Sequence, residues 1–207
     1  PNGDLFEIKT LPRPVQPELP FWLTAAGTPE TFRKAGEMGA HILTHLLGQT
    51  LEEVAERLKI YRDAWKQAGH PGEGHVTLML HTFVGDDDEA VRNTVRRPMM
   101  DYLGSSVGLI RNFANTWTAF KARADGGTAS AALDLNDLSA EEMEGLLEYS
   151  FERYFETSAL FGTTERCMAM VDRLKGLGVD EIACLIDFCV DVNHALATHI
   201  HLNRLRE

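Results

Sequence analysis

Cysteine and positive charge are both scarce in this chain of 207 residues. The three cysteines are odd in number and none forms a C-x-x-C pair, so the sequence predicts reduced thiols rather than a disulfide or zinc framework. Lys and Arg total 20 against 31 Asp and Glu, a formal net charge of −11. Nucleic-acid binding needs clustered positive charge, so the balance argues against nucleic acid and against anionic membranes as partners.

Long apolar runs are also missing. No stretch approaches the roughly 20 apolar residues of a membrane-spanning helix, and no charged segment followed by an apolar run suggests secretion. We therefore expect a cytoplasmic protein. The chain opens at Pro1 rather than Met, which we interpret as the start of a fragment.

What the sequence does contain is an alternation of short apolar runs and helix-like periods. Strand-like runs occupy 21–24, 41–47, 76–84 and 181–188, with a weaker alternating segment at 4–9. Helix starts are marked by Thr28-Pro29 and by capping-box pairs at Thr50/Glu53 and Ser139/Glu142. Apolar strands separated by helices predict a parallel sheet with both faces covered. Either an open sheet or an arc of a barrel satisfies this pattern.

A proline-rich approach to the first of these strands favours the barrel. Four prolines within residues 12–20 precede Phe21-Trp22-Leu23-Thr24, and Ala25-Ala26-Gly27-Thr28-Pro29-Glu30 follows. This order resembles the approach to the fifth barrel strand in the bacterial-luciferase-like family of FMN-dependent monooxygenases. Two later segments are similar to the family as well: Tyr61-Arg62-Asp63-Ala64-Trp65 and Gly178-Val179-Asp180-Glu181. The sequence most resembles the branch associated with natural-product assembly lines.

The resemblance implies an α/β fold that is the C-terminal half of a (β/α)8 TIM barrel. Residues 1–207 would form one partial domain with strands five to eight, and 105–160 a helical insertion before the last β/α unit. Half a barrel leaves two sheet edges unpaired. We therefore expect the chain to need the missing N-terminal half, or a homo-oligomer in which two halves close each other, and to be inactive alone.

A cofactor site is predicted where the first strand meets its helix. The N–H groups that open a helix are unpaired and favour phosphate. By the resemblance, Thr24, Ala25, Ala26, Gly27 and Thr28 seat the phosphate of FMN, with the Thr28 hydroxyl as a further donor. The same residues would also make a plain capped turn, which is the alternative.

Candidate catalytic or substrate-contacting residues lie at the ends of the other predicted strands. His45, His81 and Asp187 occupy such positions, where barrel active sites form. Structural hydrogen bonding is the alternative for the histidines, and capping of the last helix is the alternative for Asp187. Gln49 is a weaker candidate, and no catalytic base is predicted. No carboxylate completes a compact set with the remaining histidines of the last helix, so we predict no metal site there: His194, His199 and His201.

The resemblance implies a monooxygenase that uses reduced FMN and molecular oxygen on an organic natural-product intermediate, free or bound to a carrier protein. A separate flavin reductase would supply the reduced FMN. Two alternatives remain open: a deazaflavin-dependent enzyme that transfers hydride, and a non-catalytic half-barrel that serves as an interaction module.

Overall fold

The computed structural model describes residues 11–13, 15–16, 18–105, 138–188 and 190–205. Within these residues, strands and helices alternate as predicted. They are β1 (Trp22–Thr24), α1 (Pro29–Met38), β2 (His41–His45), α2 (Leu51–Gln67), β3 (Val76–Gly85), α3 (Asp88–Gly104), α4 (Ala140–Thr157), β4 (Leu160–Thr163), α5 (Thr164–Gly176), β5 (Glu181–Leu185) and α6 (Val192–Arg204). The strand expected at 4–9 and residues 106–137 of the expected insertion lie outside this part of the chain.

All recorded strand pairs are parallel, which confirms the α/β class. β1 pairs with β2, and β2 pairs with the first half of β3. The first half of β3 also pairs with β5, whereas its second half, Thr82–Gly85, pairs with β4. β3 is therefore the central strand, and its carboxyl half rises beyond the ends of β2 and β5.

The prediction from sequence missed β4. The strand-like runs predicted from the sequence do not include this segment, but Leu160–Thr163 forms a strand before α5 begins. Only four residues long and interrupted by Gly162 at φ 126°, the strand has no alternation long enough to be recognised. The last helix begins at Val192 and ends at Arg204, close to the expected span.

The two faces of the sheet differ in what covers them. On the outer face, Leu23, Ile42, Leu78, Leu80 and Ile182 pack with residues of α1, α2, α5 and α6. Alternate residues of a strand face opposite sides, so His41, Leu43 and His45 lie on the inner face. These three are only half buried, because the inner face is covered only where α3 and α4 reach it.

The helices α3 and α4 form a cap over the carboxyl half of β3. Phe83 of β3 and Phe161 of β4 pack with apolar residues of both helices, in a second core cluster that includes Val95, Met99, Phe151 and Phe155. The cap therefore stands above the inner face at the carboxyl ends of the strands, the edge where barrel active sites form.

Candidate functional site

The loop from β1 to α1 leaves several backbone donors free. The Ala25 amide donates to the Leu43 carbonyl at 2.9 Å, so it belongs to the sheet and is not available to a ligand. Among the described residues, no acceptor is recorded for the amides of Ala26, Gly27 and Thr28. Gly27 has φ 115°, a conformation that L side chains rarely adopt. Of the phosphate site predicted at residues 24–28, only the amides of residues 26–28 are therefore available to a ligand.

Thr28 occupies the N-cap position of α1, but its side chain makes no cap hydrogen bond. The predicted N-cap position is therefore confirmed, but without a hydrogen bond from the side chain. The Thr31 amide donates instead to the Thr28 carbonyl at 3.0 Å, and Pro29 has no N–H to offer. The Thr28 hydroxyl is thus not used to close the helix, and Thr24 is exposed beside it at the end of β1.

A second loop and a guanidinium lie next to this turn. Gln49 is buried; its Nε2 donates to the His45 carbonyl at 2.7 Å and its Oε1 accepts from Arg57 Nη1 at 2.6 Å. A Cβ built on Gly27 would lie 3.8 Å from both Arg57 Cζ and Gln49 Cδ. Arg57 of α2, which reasoning from the sequence missed, therefore brings a positive charge to the loop. No local pattern identifies it, because the contact joins a helix to a distant turn.

The two predicted histidines share the inner face but not the same position along their strands. His45 ends β2 as expected. His81 lies in the middle of β3, not at its end as expected, because β3 runs from Val76 to Gly85 and its last four residues pair with β4. Met79 is the register partner of His45, and His81, two residues on, faces the same side. The structure therefore places both imidazoles on the inner face toward the carboxyl ends.

His81 is 1% exposed and surrounded by aromatic rings. Its ring lies 4.6 Å from Tyr102, 5.3 Å from Phe188 and 5.6 Å from Tyr154 between centroids. Its Nδ1 lies 2.7 Å from the Tyr154 hydroxyl. Burial lowers the pKa of His81 to about 4; Asp187 opposes that shift and His45 adds to it. Asp187 and His45 thus both lie close enough to His81 to influence its pKa.

Burial also lowers the pKa of His45, and its Nδ1 is buried with no partner among the described residues. Asp187 is exposed two residues beyond β5. It does not cap the last helix: Asp191 does, through a bond from the Asn193 amide at 2.9 Å. The capping alternative for Asp187 is therefore wrong, and the carboxylate is free to influence His81.

A polar network that the sequence did not reveal joins the amino ends of the strands. Trp22 Nε1 donates to Thr77 Oγ1 at 3.0 Å, and Thr77 Oγ1 donates to Glu181 Oε2 at 2.7 Å. His75 Nε2 lies 3.3 Å from the same carboxylate oxygen. Residues at the amino ends of barrel strands serve stability rather than chemistry, so we assign this network to holding β1, β3 and β5 together.

Other site types are not recorded in the described part of the chain. No group of three or more His, Cys, Asp or Glu side chains there is placed to hold a metal ion. On α6, His194 and His199 are exposed, and His201 Nδ1 lies 3.6 Å from Asp86. The free cysteines Cys167 and Cys184 are buried and exposed respectively, and Cys189 is outside the described residues. None of the helices within these ranges has the length and apolarity needed to cross a membrane.

Comparison with known proteins gives a family and several structural neighbours. The family model described as luciferase-like monooxygenase matches residues 2–181. No curated protein sequence matches the chain. Monooxygenase RslO1 from Streptomyces bottropensis is similar in structure, with 18% identity and a TM-score of 0.55 over 95% of this chain and 51% of that one.

Two further neighbours are a second monooxygenase and an F420-dependent reductase. The oxygenating constituent of 3,6-diketocamphane monooxygenase from Pseudomonas putida, a type II Baeyer-Villiger enzyme in complex with FMN, has 17% identity and a TM-score of 0.53 over 86% of this chain and 44% of that one. The coenzyme F420-dependent tetrahydromethanopterin reductase of Methanopyrus kandleri has 16% identity and a TM-score of 0.52 over 79% and 44%. The chain thus spans about half the length of these neighbours. The fold is that of a partial luciferase-like TIM barrel, as expected.

Proposed function

The chain belongs to the luciferase-like monooxygenase family, and we propose that it forms the C-terminal half of a flavin-dependent monooxygenase whose residues 26–28 hold the phosphate of FMN. The observation that carries this proposal is the turn between β1 and α1. Free amides meet there at the start of a helix, and the guanidinium of Arg57 lies against the same turn.

The residues of the turn fit a phosphate group in charge and in shape. Backbone amides at a helix start, aided by the helix dipole, bind anions. The Thr28 hydroxyl adds a neutral donor, and Arg57 adds a charged donor whose Nη1 also lies 3.8 Å from Glu53 Oε2. Gly27 leaves the turn without a side chain, so a ligand can approach its backbone closely. The chain as a whole carries a net charge of −11, which disfavours anions. The hydrogen-bond donors gathered at this turn are a local exception that favours one.

The inner face supplies the remaining parts of the proposed site. Bound reduced FMN would supply the electrons that activate molecular oxygen for transfer to an organic substrate. The aromatic side chains of the cap, Tyr102 and Tyr154 among them, would exclude water from that reaction. His45 and His81 would contact the flavin ring or the substrate. We propose further that a flavin reductase supplies reduced FMN, and that the substrate is a natural-product intermediate, free or carrier-bound.

Closure of the barrel is a further part of the proposal. Within the described residues, β1 and β5 each pair on one edge only. An N-terminal half with four more strands, or a second copy of this chain, would pair with those edges and cover the half-buried inner face. The ring-binding part of the site would then be completed by that partner, whereas the phosphate-binding turn lies wholly within this chain.

A comparison of FMN with riboflavin tests the function, because riboflavin has the same ring system without the phosphate. We expect the chain to bind FMN at least about 10-fold more tightly in a fluorescence titration, since charge-assisted hydrogen bonds contribute about 1.5–3 kcal/mol. Thr28→Val should weaken FMN binding a few-fold and leave riboflavin unchanged. Thr94→Val is the matched control, because Thr94 bonds only within α3. Equal affinity for both ligands would contradict the phosphate site.

Hydride transfer with a deazaflavin is the second candidate, favoured by the F420-dependent neighbour of similar fold. The phosphate-binding turn does not separate the two candidates. With the chain joined to its partner half, transfer of an oxygen atom from molecular oxygen to an organic substrate, coupled to oxidation of reduced FMN, would support the monooxygenase. Hydride exchange between F420 and an organic substrate without oxygen uptake would support hydride transfer. Failure to bind either cofactor would favour the non-catalytic half-barrel.

A further inference from the structure

An unmade hydrogen bond lies at the centre of the inner face. His81 Nε2 is buried and has no partner among the described residues, although the whole side chain is 1% exposed. Leaving a buried donor or acceptor unmade costs about 1–3 kcal/mol. Such a group is expected to have a partner beyond the described residues, such as a ligand or an ordered water molecule.

The Tyr154 hydroxyl determines which kind of partner this is. Tyr154 is buried, and burial raises the pKa of its hydroxyl, so the hydroxyl keeps its proton. Its recorded partners among the described residues both belong to His81: the ring Nδ1 at 2.7 Å, and the backbone, which hydrogen-bonds to the hydroxyl oxygen and leaves Nδ1 as the acceptor for the hydroxyl proton. The hydroxyl therefore donates to Nδ1, and the proton of the neutral imidazole lies on Nε2. His81 thus presents an N–H donor and not a lone pair.

We propose that the Nε2–H group of His81 binds a carbonyl oxygen of a ligand in this site, either the substrate's or that of the flavin ring. The inference rests on the proposed flavin-dependent function, because it places the ligand on the inner face at the carboxyl ends of the strands. His81 then has a single role, which is to orient the ligand through one hydrogen bond.

The surroundings of His81 restrict the ligand to a neutral, ring-bearing molecule. Tyr102, Tyr154 and Phe188 present their rings to the imidazole at centroid distances of 4.6–5.6 Å, and aromatic walls favour planar apolar groups. Burial holds the pKa of His81 at about 4, so the imidazole carries no charge near neutral pH. A neutral N–H has no special preference for a carboxylate, and the exposed Asp187 nearby would repel one.

Nitrogen NMR of the histidine rings tests the inference without any substitution. The chain, joined with its partner half, is labelled with 15N in histidine. It is then titrated with riboflavin, with acetophenone, and with ethylbenzene, which resembles acetophenone but lacks the carbonyl. We expect the free chain to show a protonated Nε2 and an unprotonated Nδ1 at His81. Riboflavin or acetophenone should move the Nε2 signal, and ethylbenzene should not. A shift with riboflavin alone assigns the flavin carbonyl, and a shift with acetophenone alone assigns a substrate carbonyl.

Substitution gives a second readout. His81→Phe keeps a ring and removes the donor, so the affinity for the shifting probe should fall about 3- to 10-fold. His194→Phe, at an exposed histidine of α6, should change nothing. A proton on Nδ1 instead of Nε2, or a signal that neither carbonyl probe moves, overturns the inference and leaves an ordered water as the partner. Because neither probe carries phosphate, a failure of the phosphate-binding turn leaves this result unaffected.

Discussion

The Tyr154 hydroxyl lies 2.7 Å from Nδ1 of His81, across 73 positions of sequence. This bond joins the cap helix α4 to the inner face of β3. It also connects the fold with the proposed chemistry, because the same contact that holds the cap in place fixes the proton of the imidazole. The cap and the ligand-facing histidine are therefore one structural unit.

Loss of that bond should destabilise the chain. Tyr154→Phe leaves His81 Nδ1 buried without a donor, so we expect the free energy of unfolding to fall by about 1–2 kcal/mol. Urea unfolding followed by circular dichroism measures the change. Tyr102→Phe is the control, since the Tyr102 hydroxyl has no recorded hydrogen bond within the described residues. Equal effects of the two substitutions would show that the bond contributes nothing specific.

Stability should decrease as the pH falls from about 6.5 to about 4. His81 is neutral in the folded chain, where its pKa is about 4, and has its ordinary value of 6.5 when unfolded. Unfolding between these values takes up a proton, so it becomes more favourable as pH falls, by about 3 kcal/mol over the whole window. Urea midpoints from about pH 7 to about pH 4.5 measure this slope.

The decrease in stability with falling pH should be smaller in His81→Gln, because glutamine cannot take up that proton. Asp187 and His45, the charged and titratable groups nearest the imidazole, remain in the variant, so the difference between the two profiles belongs to His81. Parallel profiles for the two proteins would contradict the depressed pKa of His81 and, with it, the neutral donor.

The closest approach between α1 and α2 should tolerate no added methyl group. A Cβ on Gly36 would lie 2.5 Å from the Tyr61 carbonyl and 2.8 Å from the Trp65 amide. Gly36→Ala should therefore destabilise the chain by about 1–3 kcal/mol through overpacking. In contrast, Gly176→Ala meets nothing within 4 Å and should be neutral or stabilising by up to about 1 kcal/mol, as expected for alanine in a helix. Thermal unfolding distinguishes the two.

Two arginines of α3 contact the cap helix α4, and we expect them to contribute unequally to the free energy of unfolding. Arg92 pairs with Glu152 and Glu156, and its guanidinium lies 3.9 Å from the centre of the Phe155 ring. Because it is mostly buried, Arg92→Ala should cost about 1–3 kcal/mol. Arg97 pairs with Glu144 but is 64% exposed, so solvent screens the pair and Arg97→Ala should cost clearly less than Arg92→Ala. Urea unfolding in low and high salt checks both values; a similar cost for both would refute the distinction.

The helix starts were readable from the sequence because they depend on residues three apart. At Thr50 and Ser139 the predicted capping boxes form in full, each with two reciprocal hydrogen bonds. The parallel order of strands followed from their alternation with helices in the same way. Local rules determined these features before any long-range contact was known.

Which residues meet at the site could not be predicted, because the contacts that bring them together join distant parts of the sequence. Arg57 reaches Gly27 from another helix, and Tyr154 reaches His81 from within the predicted insertion. His81 was expected at a strand end, although the predicted apolar run already reached residue 84, and the strand observed ends at Gly85. The family resemblance located the turn at residues 24–28, but only the folded chain shows that the Ala25 amide is already engaged.

Amide NMR of the turn tests the central claim most directly. In a 15N-labelled chain, FMN should shift the backbone amide signals of Ala26, Gly27 and Thr28 downfield, as expected for new hydrogen bonds to phosphate oxygens, while riboflavin leaves them in place and Ala25 changes little with either ligand. Flavin binding that leaves these three signals unmoved would contradict the account, because the phosphate would then be held elsewhere.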